Sequence, residues 1–445
     1  MLSSDFTVPK LINKMRTVFS QLPDARRLET SNHVKYEMAD AALSAFSVFF
    51  TQSPSFLDYQ KRMQKFYGRN NAQSIFGVHK IPCDNQVRNM LDPVEPERIY
   101  PLMVDIVDGL YRLEYLKSFR AINQTLLLAL DGTQFFSSSK IDCDNCCHKI
   151  HPSGKITHYH SAITPVIVAP RQSQVMPLPP EFIKPQDGYD KQDCEIAAGK
   201  RWLKNWSHYY APWRITLLGD DLFSHQPFCQ EAIRYGYDFI FVCKQDSHPL
   251  LYEWLEDFER TGQISTFDRT IKKGKHRLTE HYRFFNHLPL RDSDDALFVN
   301  WFEVRVVDEK GSTVFHNTWM TTHLITPQNI VEAVANGRSR WKIENENNNV
   351  LKNHGYHFDH NFGHGKKHLA NTLATLILLA FLLHTLLEWV DVCYKAVRDL
   401  LPSRQTFFEH LRTLMLYLPF NSWQDLMSFM FSKLTMPIPD YSQRF

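Results

Sequence analysis

The chain has 445 residues, 43% hydrophobic and 22% charged, a composition that excludes a disordered or low-complexity protein and leaves room for roughly two to four domains. A formal net charge of +2 says nothing as a total, so only local basic clusters such as "KKGKHR" (272–277) and "HGKKH" (364–368) can speak for a polyanionic partner. Eight cysteines, with no long apolar core in "MLSSDFTVPKLINKMRTVF", point to a reducing, cytoplasmic setting rather than a disulfide scaffold.

Residues 1–118 read as a helical N-terminal domain. "DAALSAFSVFF", "SFLDYQKRMQKFY" and "PERIYPLMVDIVDGLYRLEYL" carry the three-and-four apolar spacing of helices, punctuated by Pro and Asp. Scattered Lys, Arg and Gln suit either a DNA-touching module or a helical cap. From 119 to 262 the pattern becomes α/β. Strands are predicted at 125–136, 156–169 and 173–178, then a helix at 191–206, a strand at 213–221 and a helix at 226–237. A strand at 238–244 and a helix at 248–262 follow, and the later strands should be parallel. Residues 263–324 break that rhythm as a β-rich insertion with a turn at "DEKGS". Helices return over 325–396, first at 326–355, with Thr326 and Pro327 as an N-cap and first-turn pair. The apolar run "LATLILLAFLLHTLLEWV" (373–390) contains His384 and Glu388 and reads as a buried core helix rather than a membrane span. A helical tail fills 397–445.

Inside this frame, "LLLALDGTQFF" (126–136) places Asp131 at the end of an apolar strand, and "WRITLLGDD" does the same for Asp220. Ligands gather at the carboxyl ends of strands where an α/β sheet changes direction. A third acid, Glu344, lies in a helix far along the chain, in "GRSRWKIENENNNVLK". Two strand-end aspartates and a helical glutamate suit two Mg²⁺ ions, which take carboxylate oxygens and activate water or a 3′-hydroxyl for phosphoryl transfer. Asp221 stands beside Asp220 as an alternative second acid.

The segments "LALDGTQFFSS", "KQDCEIAAGKRWL", "LLGDDLFSHQPFC", "FIFVCKQDSHPLLYEWL" and "RWKIENENNNVLK" together resemble the DDE transposases of bacterial insertion sequences, nearest to the insertion-sequence-four-like group. "ALSAFSVFFTQSPSFLDYQ" and "IPCDNQVRNMLDPV" resemble the N-terminal part of one such group, so the likeness runs from about 35 to 395. It implies a ribonuclease-H-like catalytic core with a β-rich insertion and Mg²⁺-dependent DNA cutting and joining, with Mn²⁺ able to substitute. The implied partners are double-stranded DNA, as inverted-repeat ends and target, bound by a homodimer near the nucleoid with no membrane. Asp131, Asp220 and Glu344 match the metal-binding acids. The family pattern of Tyr, Arg, Glu and Lys around the glutamate is met at Arg340, which the likeness makes a phosphate contact. It is departed from at Gly337 and Leu351, with Lys352 one position late. Lys244 resembles a basic residue that follows the same strand in relatives.

Two further groups stand out. In "CDNCCHKIHPSGKITHYH", Cys143, Cys146, Cys147 and His148 read either as a Zn²⁺ half-site or as a reduced cysteine loop, with His151, His158 and His160 downstream. In "NHGYHFDHNFGHGKKH" (353–368), His354, His357, His360 and His364 read either as a metal set or as a glycine-rich loop facing phosphate. Phe284, Trp301 and Trp319 in the insertion read as core, with base stacking as the alternative.

Overall fold

The computed structural model describes residues 6–26, 35–185, 194–274 and 276–436. The end of the tail (437–445) and the start of the helix predicted at 191 lie outside the described residues. In chain order the strands are β1 (Leu126–Ala129), β2 (Gly132–Ser138), β3 (Cys147–Ile150), β4 (Ile156–Ile163), β5 (Val166–Val168), β6 (Met176–Pro177) and β7 (Glu181–Ile183). There follow β8 (Ile215–Gly219), β9 (Asp238–Val242), β10 (Ser265–Lys273), β11 (His276–Pro289), β12 (Phe298–Val307) and β13 (Thr313–Thr321). Contacts divide the chain into two compact units, Met1–Gly109 with Gln134–His160 and Asn349–Phe445, and Leu110–Thr133 with Ser161–Asn348.

The second unit is built on one mixed sheet, in the order β10-β11-β12-β13-β9-β8-β1-β5-β6. At its centre β1 runs parallel to β8, and β8 parallel to β9, while β5 is antiparallel to β1 and β6 to β5. Every residue of β1 and β8 is buried, as expected of short central strands covered on both faces. Helices Glu195–Tyr210, Gln226–Arg234 and Pro249–Arg260 connect and follow these strands. The β-rich segment 263–324 supplies β10–β13 as an antiparallel meander. Its last strand pairs with β9, so it lengthens the same sheet. Phe284, Trp301 and Trp319 are buried there, which makes them packing residues and leaves no ring free for a base.

Three predicted elements are interrupted. The strand expected over 125–136 breaks at Leu130–Asp131, separating β1 from β2, and the one over 156–169 breaks at Thr164–Pro165, where proline cannot donate to a ladder. The helix over 326–355 breaks after Ile330–Arg338 and resumes at Trp341, winding as a π-helix from Ile343 to Asn348.

The first unit is largely helical. Helix Leu369–Val390 packs against Met38–Phe50, all of whose residues are buried. By length and composition the longer helix could cross a membrane, yet 89% of its most apolar window is buried inside the protein. Two of its polar side chains, His384 and Glu388, find partners there. The Tyr356 hydroxyl meets His384 Nδ1 at 2.6 Å, and Arg404 donates to both Tyr356 and Glu388, as a core helix requires.

Candidate functional site

In the second unit the parallel register of β1 and β8 brings two acids to one edge. Ala129 pairs with Leu218, and the Leu130 amide donates to the Leu218 carbonyl at 2.8 Å. Asp131 and Asp220 therefore leave adjacent strands at the same carboxyl end. Burial raises the Asp131 carboxyl to about 7, opposed by the Arg340 guanidinium and reinforced by the charges of Glu195, Glu344 and Asp220. The charge interactions show that the three predicted acids share one neighbourhood.

Asp220 and Asp221 divide their tasks. Asp221 accepts from the Lys244 amide at 2.7 Å and from the Ser247 hydroxyl, so it is committed to holding the loop after β9. Asp220 caps the short turn that follows it, accepting from the Leu222 amide at 3.0 Å, and its charge reaches Asp131 and Glu195. Asp220 is thus the acid that faces the others.

Glu344 sits at the second position of the π-turn, half-buried, and Arg340 Nη1 donates to its Oε1 at 2.9 Å. Arg340 is buried, its Nε has no protein partner, and its guanidinium lies 4.9 Å from the Trp341 ring centre. π-helical turns cost hydrogen-bond geometry and concentrate at functional sites. Here the turn delivers Asn348, whose Nδ2 donates to Asp131 Oδ2 at 3.2 Å. Asn348 escaped the sequence reading. The run "ENENNN" was its signal, because asparagine competes poorly for helix interiors and its presence there calls for another reason.

Glu195 also escaped it. The first residue of its helix, it packs on Gly132, where an added Cβ would stand 2.3 Å from the Glu195 carboxylate. Burial and the Asp220 charge raise its carboxyl, while the Gly132 amide works the other way. Glycine at 132 is what permits the fourth acid to come this close.

The departures from the transposase pattern have steric causes. A Cβ at Gly337 would lie 2.7 Å from Trp319 Nε1, so no tyrosine fits, and Leu351 is fully buried where a lysine would be stranded. Lys352 is half-buried on Asn349–Asn353, a segment of the first unit. Lys244 is exposed on a groove of about 440 Å³ that also holds Arg283 and Arg305 beside Glu256, Glu259 and Glu303.

The first unit carries a different donor set. Cys143, Cys146, His160 and His364 place one donor atom each within 4.8 Å of all the others. A turn closed by the Cys146 amide on the Cys143 carbonyl (3.0 Å) points both thiols inward, β4 supplies His160, and the glycine-rich loop supplies His364. Thiol and imidazole donors around Cys143, Cys146 first, hold its thiol far below the usual range. This corrects the predicted quartet. Cys147 opens β3 and is buried opposite Tyr159, and His148 is exposed opposite His158, on the other face of the strand, and neither joins the donor set. Of the four loop histidines only His364 joins the set.

Among the described residues no other group of three or more such side chains closes to that distance, so the acids around Asp131 are spread more widely. No protein-family model matches the chain, and no curated protein matches its sequence.

Proposed function

We propose that the chain is a DNA transposase of the DDE type, cutting DNA at element ends and joining 3′ ends to target. The observation that carries this reading is the meeting of Asp131, Asp220 and Glu344, drawn from two strand ends and a distant helix, around one buried arginine. The core strand order supports a ribonuclease-H-like reading: β6, β5 and β1 are each antiparallel to the next, then β8 and β9 run parallel to β1.

An all-oxygen carboxylate set fits Mg²⁺ or Mn²⁺, and the Arg340 guanidinium marks the place as one that draws positive charge. Asp131, Asp220 and Glu344 would hold the metal, which when bound supplies Lewis-acid stabilisation of the attacking and leaving oxygens. Asn348 fixes the rotamer of Asp131 through its 3.2 Å bond. Arg340 works against the burial that raises the Asp131 carboxyl, donates to Glu344, and has a free Nε donor to offer a phosphate oxygen. Exposed Lys272, His276 and Arg277 at the β10–β11 turn offer further phosphate contacts. Double-stranded DNA as partner, a dimer that pairs two ends, and a place at the nucleoid belong to the same proposal.

The test is Mg²⁺-dependent nicking of a duplex that carries the inverted repeats flanking the coding region. Wild type should nick at the repeat boundary, with Asp131→Asn and Glu344→Gln inactive. Equal nicking by wild type and variants would remove the enzymatic reading, and cutting of any duplex regardless of ends would make the chain a general nuclease.

A further inference from the structure

We infer that Cys143, Cys146, His160 and His364 form a structural zinc site. Zn²⁺ binds thiolate at about 2.3 Å and imidazole at about 2.0–2.1 Å in a tetrahedron. That geometry demands donor separations of about 3.8 Å between sulfurs, about 3.6 Å between sulfur and nitrogen, and about 3.3 Å between nitrogens. The structure has 3.9 Å for Cys143 Sγ to Cys146 Sγ, and 3.5 and 3.3 Å from these sulfurs to His160 Nε2. Cys146 Sγ lies 3.3 Å from His364 Nε2, and the two Nε2 atoms are 3.1 Å apart. Five edges of the tetrahedron are thus met within a few tenths of an ångström.

The donor chemistry agrees. Two thiolates and two imidazoles select Zn²⁺ over hard cations such as Mg²⁺. His364 Nδ1 lies 2.9 Å from the Gly365 carbonyl, the bond that fixes a ligand tautomer with Nε2 free for metal. Cys146, His160 and His364 are buried, and Phe136 packs on the His364 ring at 4.4 Å between centroids. The site is closed, with all four positions taken by protein, which makes it structural rather than catalytic.

Its role follows from where the ligands come from. The ion would fasten the β3–β4 hairpin to the loop that leads into helix Leu369–Val390. One weaker tie already joins them, Asn145 Nδ2 donating to the Lys367 carbonyl at 2.6 Å, while Asp92 anchors the loop itself by accepting from the amides of Lys366 and Lys367. This inference stands independently of the acid site.

The test is the metal content of the full chain, purified reduced and without a histidine tag, with Co²⁺ reconstitution of the stripped protein as a second reading. One zinc per chain is expected, with thiolate charge-transfer and tetrahedral d–d bands from Co²⁺. Cys146→Ser and His364→Ala should lose the zinc, and His148→Ala should keep it. A wild type that carries no zinc and gives no tetrahedral Co²⁺ spectrum would overturn the inference. So would a Cys143–Cys146 disulfide in the reduced preparation, or equal loss of zinc in His148→Ala. The Co²⁺ spectrum of wild type decides the matter even if a variant fails to fold.

Discussion

The acid site and the Cys/His site gather comparable numbers of polar side chains, yet one closes to a tetrahedron and the other stays open. The difference lies in charge. Thiols and imidazoles can approach by sharing protons as hydrogen-bonded partners, so packing alone brings their donor atoms within 4.8 Å. Carboxylates repel, and burial penalises each further charge, so Asp131, Asp220, Glu195 and Glu344 remain apart with Arg340 between the charges. One site is pre-formed by the fold, whereas the other is organised only as far as strand ends, a π-turn and one guanidinium can take it.

The contrast can be broken at either end. The largest effect is expected where the pre-formed set loses a donor: Cys146→Ser should lower the Tm by roughly 5–10 °C, a few kcal/mol for a unit of this size. The exposed His148→Ala should shift it by no more than about 1–2 °C, and equal shifts would erase the distinction between the two quartets. Next, Arg340→Ala should reduce DNA cutting by roughly 10–100-fold, the scale of removing one charge-assisted contact. Because Arg340 lowers the Asp131 carboxyl, its loss should also move the acid limb of the pH–rate profile to higher pH. An unmoved limb would mean that the arginine acts elsewhere. Glu195→Gln should move that limb the other way, by less than about one unit, since the Glu195 charge raises Asp131.

The smallest effect is on stability without metal. The Asp131 carboxyl titrates at about 7 in the fold, above its ordinary 3.8. Its contribution to stability is therefore full below the unfolded value and is lost as pH rises through about 7. Asp131→Asn should then melt higher than wild type at pH 8 by a few degrees, with the gap closing near pH 4. Excess Mg²⁺ should raise the wild-type Tm most at the alkaline end, and melting curves that coincide at both pH values would contradict the burial of this charge.

The two sites also differ in how far the sequence announces them. Apolar runs ending in Asp131 and Asp220 announce strand ends, because a fully buried central strand must stop where its first charge stands. Glu344 is legible only through its helix and the resemblance. Asn348 and Glu195 are not, because a π-turn and a glycine-permitted approach are tertiary facts. The Cys-x2-Cys turn is visible, but its imidazole partners come from a paired strand and from a loop more than two hundred residues on, and no spacing rule reaches that far. The mixed sheet beyond β9 is hidden for a similar reason: pairing of β13 with β9 joins an apparent insertion to the core through one non-local ladder.

Joining, more than cutting, separates a transposase from a nuclease. The direct measurement is transfer of a pre-cut 3′-hydroxyl end, carrying the flanking repeat, into a supercoiled plasmid in Mg²⁺. Wild type should yield covalently joined product, with Asp131→Asn, Asp220→Asn and Glu344→Gln reduced by roughly 10³-fold or more and the neighbouring Asp221→Asn retaining activity wherever it folds. No joined product from wild type, or equal product from the three acid variants, would contradict the account.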